Sequence, residues 1–167
     1  MAGPVRVRGV QETLRDLRTL EPTLYKATMR TIKRAAKPLQ SAAQGALPAS
    51  APLSGFAHGG RTGWSRSAAR VSVNTGGRKS GGTWTLVKVR LNGAAGSLFD
   101  MAGRGSSGDT PQGAALVENL TSRYGAASRA MWPAAEHQLP TVQRQVVAAI
   151  DDATSAMNVK LKTDWVV

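Results

Sequence analysis

The feature that most constrains this chain is its shortage of large apolar side chains. Leu, Val, Ile and Phe together supply 32 of the 167 residues, whereas Ala alone supplies 26. This share lies just below the roughly 20% at which a highly charged chain is expected to be disordered. We therefore expect small Ala contacts to form much of the core, and we expect partners or further copies of the chain to complete its stability.

The net charge of +12 is concentrated in the middle of the chain. No Asp or Glu occurs between residues 22 and 99, and this window contains 12 Lys and Arg residues. The segments 1–21 and 100–167 are each close to neutral. Such an asymmetry predicts a face that is directed at a polyanion or at an acidic partner.

Helical periodicity dominates the region 9–45. Apolar residues recur at helical spacing over 10–17, and Pro22 suits the first turn of a second helix. We predict that this second helix continues to about Gly45. A kink is expected at Pro38, because proline has no backbone N–H to donate and its ring clashes with the preceding turn.

One face of the predicted second helix is basic. At about 100° per residue, five cationic side chains fall within an arc of roughly 100°. These residues, the basic stripe, are Lys26, Arg30, Lys33, Arg34 and Lys37. No acidic residue interleaves with them, so the basic stripe predicts contact with an anionic partner. The alternative is a solvated surface, since long cationic side chains also cover apolar surface with their stems.

Residues 69–102 are expected to form a small antiparallel sheet. Alternating apolar residues predict strands over 69–74 and 83–91, joined as a hairpin by a long Gly-rich loop. Arg78 and Lys79 lie at the expected tip of that loop, where they are further candidates for contact with an anionic partner.

The rest of the chain completes an α+β fold. A short third strand or turn is expected over 94–102, a loop and a short helix over 103–127, and a long helix over 128–158 with Ser128 as its cap. We therefore predict a single domain over 1–167. In it, long N-terminal and C-terminal helices pack on a small antiparallel sheet, with long Gly-rich loops between the elements.

The sequence contains no constellation that would support catalysis or metal binding. It has no Cys and only two His, which excludes thiolate zinc sites, cysteine nucleophiles and multi-His sites. No segment approaches the ~20 apolar residues of a membrane helix. The first residues lack the apolar region of a secretory signal. We expect a protein that is not an enzyme, carries no cofactor or metal and does not associate with a membrane.

The four Trp residues stand out in a chain with few large side chains. They could stack on nucleic-acid bases. A core that is short of large groups favours instead a role as core or interface anchors. The candidate interface anchors are Trp64, Trp132 and Trp165.

Several short segments together resemble a known family. They are the Ala-rich helix end at 35–43 with Ala46-Leu47-Pro48, the loop Pro52-Leu53-Ser54-Gly55, and the segment 128–134 before the last helix. In this order they resemble the neck, or head-to-tail connector, proteins of long-tailed bacteriophages, which include tail-component and tail-completion proteins. The chain departs from that family at Asp100-Met101-Ala102-Gly103, which only approximates the usual Glu-x-Gly, and at 104–127, which looks like an insertion.

The resemblance implies a structural virion protein at the junction of capsid and tail. It implies a cyclic homo-oligomer of six-fold or twelve-fold symmetry. This ring would contact neighbouring connector, tail-terminator or tail-tube proteins and leave passage for DNA, after assembly in the host cytoplasm. The loops 48–67, 75–82 and 103–113 would become ordered on assembly, with burial offsetting the entropy cost.

The basic stripe then has two candidate targets, an acidic neighbouring ring or the DNA conduit. A ring of cations would grip DNA that must slide during ejection, which favours a protein partner. Replacing Lys26, Arg30 and Lys33 by Glu is expected to block head–tail joining. The alternative function is that of a sequence-independent nucleic-acid-binding protein that uses the basic region 22–99, for which the affinity for DNA should fall steeply with salt.

Overall fold

The computed structural model describes residues 10–57, 63–64, 70–74, 78–80, 83–105 and 108–164. This part of the chain is mostly helical with a small content of β-structure, which confirms the α+β class. None of its helices is both long and apolar enough to cross a bilayer. In chain order the elements are α1 (Val10–Leu20), α2 (Pro22–Ala35), α3 (Lys37–Gly45), a 3₁₀ turn (Ser54–Phe56), β1 (Arg70–Asn74), β2 (Arg78–Ser80), β3 (Thr83–Thr85), β4 (Lys88–Asn92), α4 (Ala94–Met101), α5 (Pro111–Tyr124) and α6 (Met131–Asp164).

The chain divides into two compact units, and each has a buried core of its own. A single domain over 1–167 stays a prediction. Unit 1 consists of Met1–Lys37, Val73–Lys88 and Leu139–Val167, and unit 2 consists of Pro38–Ser72 and Val89–Gln138.

The core of unit 1 joins three helices. Val10 and Leu14 of α1 pack with Ile32 of α2 and with Ala149 and Ile150 of α6. Each of these residues lies at the helical spacing that was predicted to form an apolar face. Partly buried hydrophobic residues pack around this cluster, namely Tyr25, Met29, Leu86, Val87 and Val146.

The N-terminal helices are interrupted at two positions. Glu21, with φ −138° and ψ 74°, leaves the helical backbone between α1 and α2, and Pro22 occupies the first turn of α2. The second interruption precedes Lys37, where α3 begins. Because Pro38 has no N–H to donate to the carbonyl of Arg34, the helix stops just upstream of the predicted kink.

The described strands form two two-stranded sheets, β1 with β4 and β2 with β3. In the second sheet the strands are antiparallel, with Arg78 opposite Thr85 and Ser80 opposite Thr83. The prediction that Arg78 and Lys79 lie at a loop tip is therefore wrong, because both lie in β2. β2 thus forms a described strand within the segment that was predicted to be a long Gly-rich loop.

The single strand predicted over 83–91 is also wrong, since it is divided into β3 and β4. Leu86 and Val87 lie between them, and both pack against the core of unit 1. Adjacent residues of a regular strand point to opposite faces. A strand cannot continue through two neighbours that contact the same core.

Residues 94–102 do not form the expected third strand or turn, because α4 occupies Ala94–Met101. Ala95 and Phe99 are four residues apart and both are buried, as the period of a helix requires. Gly93 precedes the helix with φ +100°, a backbone conformation that favours glycine. A short apolar run fits a strand or a helix equally well from sequence alone.

Aromatic side chains hold the core of unit 2 together. Phe56, Trp64, Phe99 and Tyr124 form a series of edge-to-face contacts, with ring centroids 6.0, 5.6 and 5.2 Å apart. Such pairs contribute about 0.5–1.5 kcal/mol beyond their buried area. These four rings compensate in part for the small number of large aliphatic residues.

Two glutamines of α3 connect this helix to β1. The Gln40 Nε2 donates a hydrogen bond to the Val71 carbonyl at 2.6 Å, and the Val71 N–H donates to the Gln44 Oε1 at 3.2 Å. The spacing of four residues places both amides on one face of α3. At Val71, the main chain of β1 is therefore hydrogen-bonded to two side chains of α3.

The C-terminal helices lie where helices were predicted. α5 begins at Pro111, and the Thr110 hydroxyl accepts a hydrogen bond from the Gly113 N–H at 3.1 Å as its N-terminal cap. α6 runs for 34 residues through Pro140. It begins and ends later than the predicted span 128–158.

Candidate functional site

The basic stripe lies on the exposed side of α2. Thr28, Ile32 and Ala35 are buried, and at about 100° per residue they are centred opposite the middle of the cationic arc. The four stripe cations of α2 are exposed, and so is Lys37, which opens α3. Because packing fixes one face of α2, the opposite, cationic face is turned to solvent.

Acidic side chains do not neutralise the basic stripe within the part of the chain that the structure describes. The ion pairs found there join Arg15 to Asp16 and Lys160 to Glu21. Neither pair includes a stripe cation. The stripe therefore presents a row of positive charges that form no ion pair with the described acidic residues, and its contact with an anionic partner stays a prediction.

The remaining candidate cations lie in the strands. Arg78 and Lys79 belong to β2, apart from the row of cations on α2. In β4, Lys88 and Arg90 are exposed and alternate with half-buried residues. The positive charge of the region 22–99 is thus distributed over several elements, and α2 carries its longest continuous row among the described residues.

The candidate anchors have different surroundings. Trp64 is half-buried and packs into the core of unit 2 between Phe56 and Phe99. Trp132 is 41% exposed, and its Nε1 donates a hydrogen bond to the Glu136 Oε1 at 2.8 Å. Trp165 lies outside the described residues. Of the three, Trp132 has the exposure that an interface anchor requires, and its role stays a prediction.

A buried polar junction forms in unit 2 around Asp100, which is 3% exposed. Its Oδ1 accepts hydrogen bonds from the backbone N–H groups of Ala130 at 2.6 Å and Met131 at 3.2 Å. These groups lie at the start of α6, where N–H groups have no partner within the helix. A carboxylate at this end also interacts favourably with the helix dipole.

Asp100 thereby takes the capping role that was predicted for Ser128. Ser128 lies three residues before the first residue of α6, and its backbone has φ +71°. Its N–H donates to the Asp100 carbonyl. The prediction that Ser128 caps α6 is wrong, because the helix begins later and α4 supplies the acceptor from elsewhere in the chain.

Arg129 completes the junction and is 9% exposed. Its Nη1 donates to the carbonyls of Phe99 at 2.7 Å and Ala102 at 3.1 Å, and its Nε donates to the Gly125 carbonyl at 2.9 Å. The Nη2 lies 3.3 Å from the Thr121 hydroxyl oxygen, its acceptor. The guanidinium thus binds carbonyls at the C-terminal ends of α4 and α5, where helices carry partial negative charge.

The junction contains one buried cation and one buried anion, and burial is the larger of the two influences on the cation, whose pKa is lowered. Burial lowers the pKa of the Arg129 guanidinium, and the negative charge of Asp100 raises that pKa in the opposite direction. A buried cation costs desolvation energy unless acceptors and an opposite charge surround it. Arg129 has both, so the junction is a satisfied network that joins α4, α5 and α6.

Asp100 and Arg129 were not among the site residues predicted from the sequence. One signal was available, since Asp100 ends the long window without acidic residues. Their hydrogen bonds join residues about 30 positions apart, which local patterns do not encode.

No protein-family model, curated protein or solved structure matches the chain. Across the residues that the structure describes, no three His, Asp or Glu side chains are placed to hold a metal ion. What these residues offer is a solvent-facing row of cations on α2 and a buried polar junction in unit 2.

Proposed function

We propose that this chain is a structural, non-enzymatic virion protein of the head–tail junction in a long-tailed bacteriophage. The observation that carries the proposal is the pair of hydrogen bonds from Ala130 and Met131 to the Asp100 carboxylate. Ala130 and Met131 belong to the segment 128–134, on which the resemblance to connector proteins rests in part, and Asp100 begins the segment 100–103, which only approximates the usual Glu-x-Gly of that family. Because the two segments meet in one buried junction, they share a structural role in this fold.

In this proposal, copies of the chain form a ring of six-fold or twelve-fold symmetry between the capsid and the tail. Neighbouring copies would meet through different surfaces, since repeated head-to-tail contacts close into a ring. Connector, tail-terminator or tail-tube proteins would contact the two sides of the ring. Trp132 is a candidate for a contact between copies, because exposed Trp residues are frequent anchors of interfaces.

A nonsense mutation in a phage that encodes this chain tests the proposal. In non-suppressing cells we expect DNA-filled heads and separate tails by negative-stain electron microscopy, and the wild-type chain supplied in trans should restore tailed, infectious particles. Asp100→Ala should restore them poorly, whereas Asp109→Ala, which removes an exposed carboxylate, should restore them fully. Infectious tailed particles that lack the protein would contradict the proposal.

A further inference from the structure

The exposed face of α2 has an unusual composition. Besides its four stripe cations, the exposed positions of this helix are small or hydroxylated residues, and the large apolar residues of α2 are buried or half-buried. The exposed neutral residues are Pro22, Thr23, Ala27 and Thr31. The described helix therefore offers charge to a partner but no large apolar side chain.

This composition separates two kinds of partner. Protein interfaces take most of their binding energy from a few buried anchors, often Trp, Tyr or Arg, and Lys is depleted in their cores. Of these anchor types the exposed face of α2 offers only Arg30 and Arg34, within a row that also contains two Lys residues. Surfaces that bind nucleic acid are more polar and much more positive. We infer that the basic stripe binds the phosphodiester backbone of nucleic acid, in preference to the acidic protein favoured by the sequence.

The geometry of the stripe agrees with a row of phosphates. Lys26 and Arg34 are eight residues apart in α2, which is about 12 Å at 1.5 Å per residue. One strand of duplex DNA carries a phosphate every 3.4 Å along the helix axis. The four cations on α2 thus span roughly three to four phosphates of one strand.

Base recognition is not part of the inference. Sequence is read by side chains such as Asn, Gln or Arg that reach base edges in bidentate geometry. No Asn or Gln occurs in α2, and our inference assigns Arg30 and Arg34 to phosphates, as members of one row with Lys26 and Lys33. The Thr31 hydroxyl donates to the Ala27 carbonyl at 3.2 Å. Binding through phosphates alone is independent of sequence and lets a protein slide along DNA, which removes the objection that a cationic ring would grip the passing duplex. That the natural ligand is packaged duplex DNA rests on the proposed function.

Fluorescence anisotropy with the full-length chain tests the inference. The probes are a labelled duplex DNA of mixed sequence and a single-stranded RNA of the same length, titrated at several salt concentrations. The stripe variant carries Lys26→Gln, Arg30→Gln and Lys33→Gln. The control variant loses the same charge from exposed arginines elsewhere and carries Arg104→Gln, Arg123→Gln and Arg144→Gln.

For duplex DNA, each lost phosphate contact should reduce the slope of log K against log salt by about 0.9. We expect the stripe variant to lose about 2 to 3 from this slope and at least about tenfold in affinity, while the control loses less than about 1. Binding of either nucleic acid with this loss supports the inference, and tighter binding of the duplex identifies DNA as the ligand. Circular dichroism spectra that match wild type show that the variants are folded.

Three results would overturn the inference. The first is that the wild-type chain does not bind nucleic acid at about 0.05 M salt, where phosphate contacts are strong. The second is that the stripe and control variants lose equally from the slope. The third is that the stripe variant binds DNA normally but fails to restore tailed particles. The last result would assign the stripe to a protein partner and leave the proposed function intact. The nonsense mutation tests that function without reference to the stripe.

Discussion

Replacing Asp100 by Ala removes the acceptor that holds the start of α6. The Asp100 Oδ1 lies 2.6 Å from the Ala130 nitrogen and 3.2 Å from the Met131 nitrogen. Ala has no side-chain oxygen, and Ala130 is 0% exposed, so its N–H loses its acceptor at a position that is closed to bulk solvent. The substitution also removes the negative charge that raises the pKa of the buried Arg129 guanidinium.

The size of the effect follows from these contacts. Loss of an N-terminal cap costs about 0.5–2 kcal/mol, and a buried polar group left without a partner costs about 1–3 kcal/mol. We expect Asp100→Ala to lower the free energy of unfolding by about 3 kcal/mol. Asp100→Asn keeps an oxygen in the same place and loses only the charge, so its cost should be about 1 kcal/mol.

Urea unfolding, followed by far-UV circular dichroism and Trp fluorescence, measures these differences. Asp109→Ala is the matched control, because this exposed carboxylate should change stability by less than about 0.5 kcal/mol. The reasoning is refuted if Asp100→Ala is no more destabilising than Asp100→Asn. In that case the hydrogen bonds to the start of α6 would contribute nothing measurable.

Three further substitutions test other parts of the fold by the same urea measurement. Arg129→Lys should lower the free energy of unfolding by about 2–4 kcal/mol, because one ammonium group cannot reach all the carbonyls and the hydroxyl that the guanidinium binds. A loss below about 1 kcal/mol would show that a single positive charge is sufficient at this position. Gly108→Ala should destabilise by at least about 1–3 kcal/mol, since Gly108 has φ +99° and a Cβ would lie 2.5 Å from the Gly113 carbonyl carbon. Gly45→Ala is its control and should be neutral or stabilising, because its Cβ would meet nothing within 4 Å. Ile32→Ala should cost about 2–5 kcal/mol in unit 1, where Ile32 is 0% exposed, and a value near zero would mean that the helices can repack around the cavity.

Local patterns were sufficient for α1, for the start of α2 and for the exposure of the basic stripe, but not for α4. The recurrence of Val10, Leu14 and Leu17 predicted α1, and the start of α2 at Pro22 followed from the tolerance of proline in a first turn. The cationic and buried residues of α2 occupy opposite arcs of one helix. This periodicity can be recognised from the order of neighbouring residues alone, without information on tertiary contacts.

Contacts between distant segments could not be predicted in the same way. Asp100 caps a helix that begins about 30 residues later, and only the packing of unit 2 brings its carboxylate there. The apolar run around Phe99 was compatible with a strand or a helix until its contacts were known. The strand predicted over 83–91 is interrupted at Leu86 and Val87, because both side chains contact the core of unit 1. This tertiary contact prevents the alternation of faces that a regular strand requires.

The glutamines of α3 have a consequence for the edge of the small β1–β4 sheet. The N–H and C=O of a strand residue point to the same side, and at Val71 both are bonded to Gln40 and Gln44. β1 therefore has no free main-chain groups at this residue with which a strand of another molecule could pair. Copies of the chain that meet at Val71 must do so through side chains, so β-strand addition at this position cannot drive open-ended polymerisation.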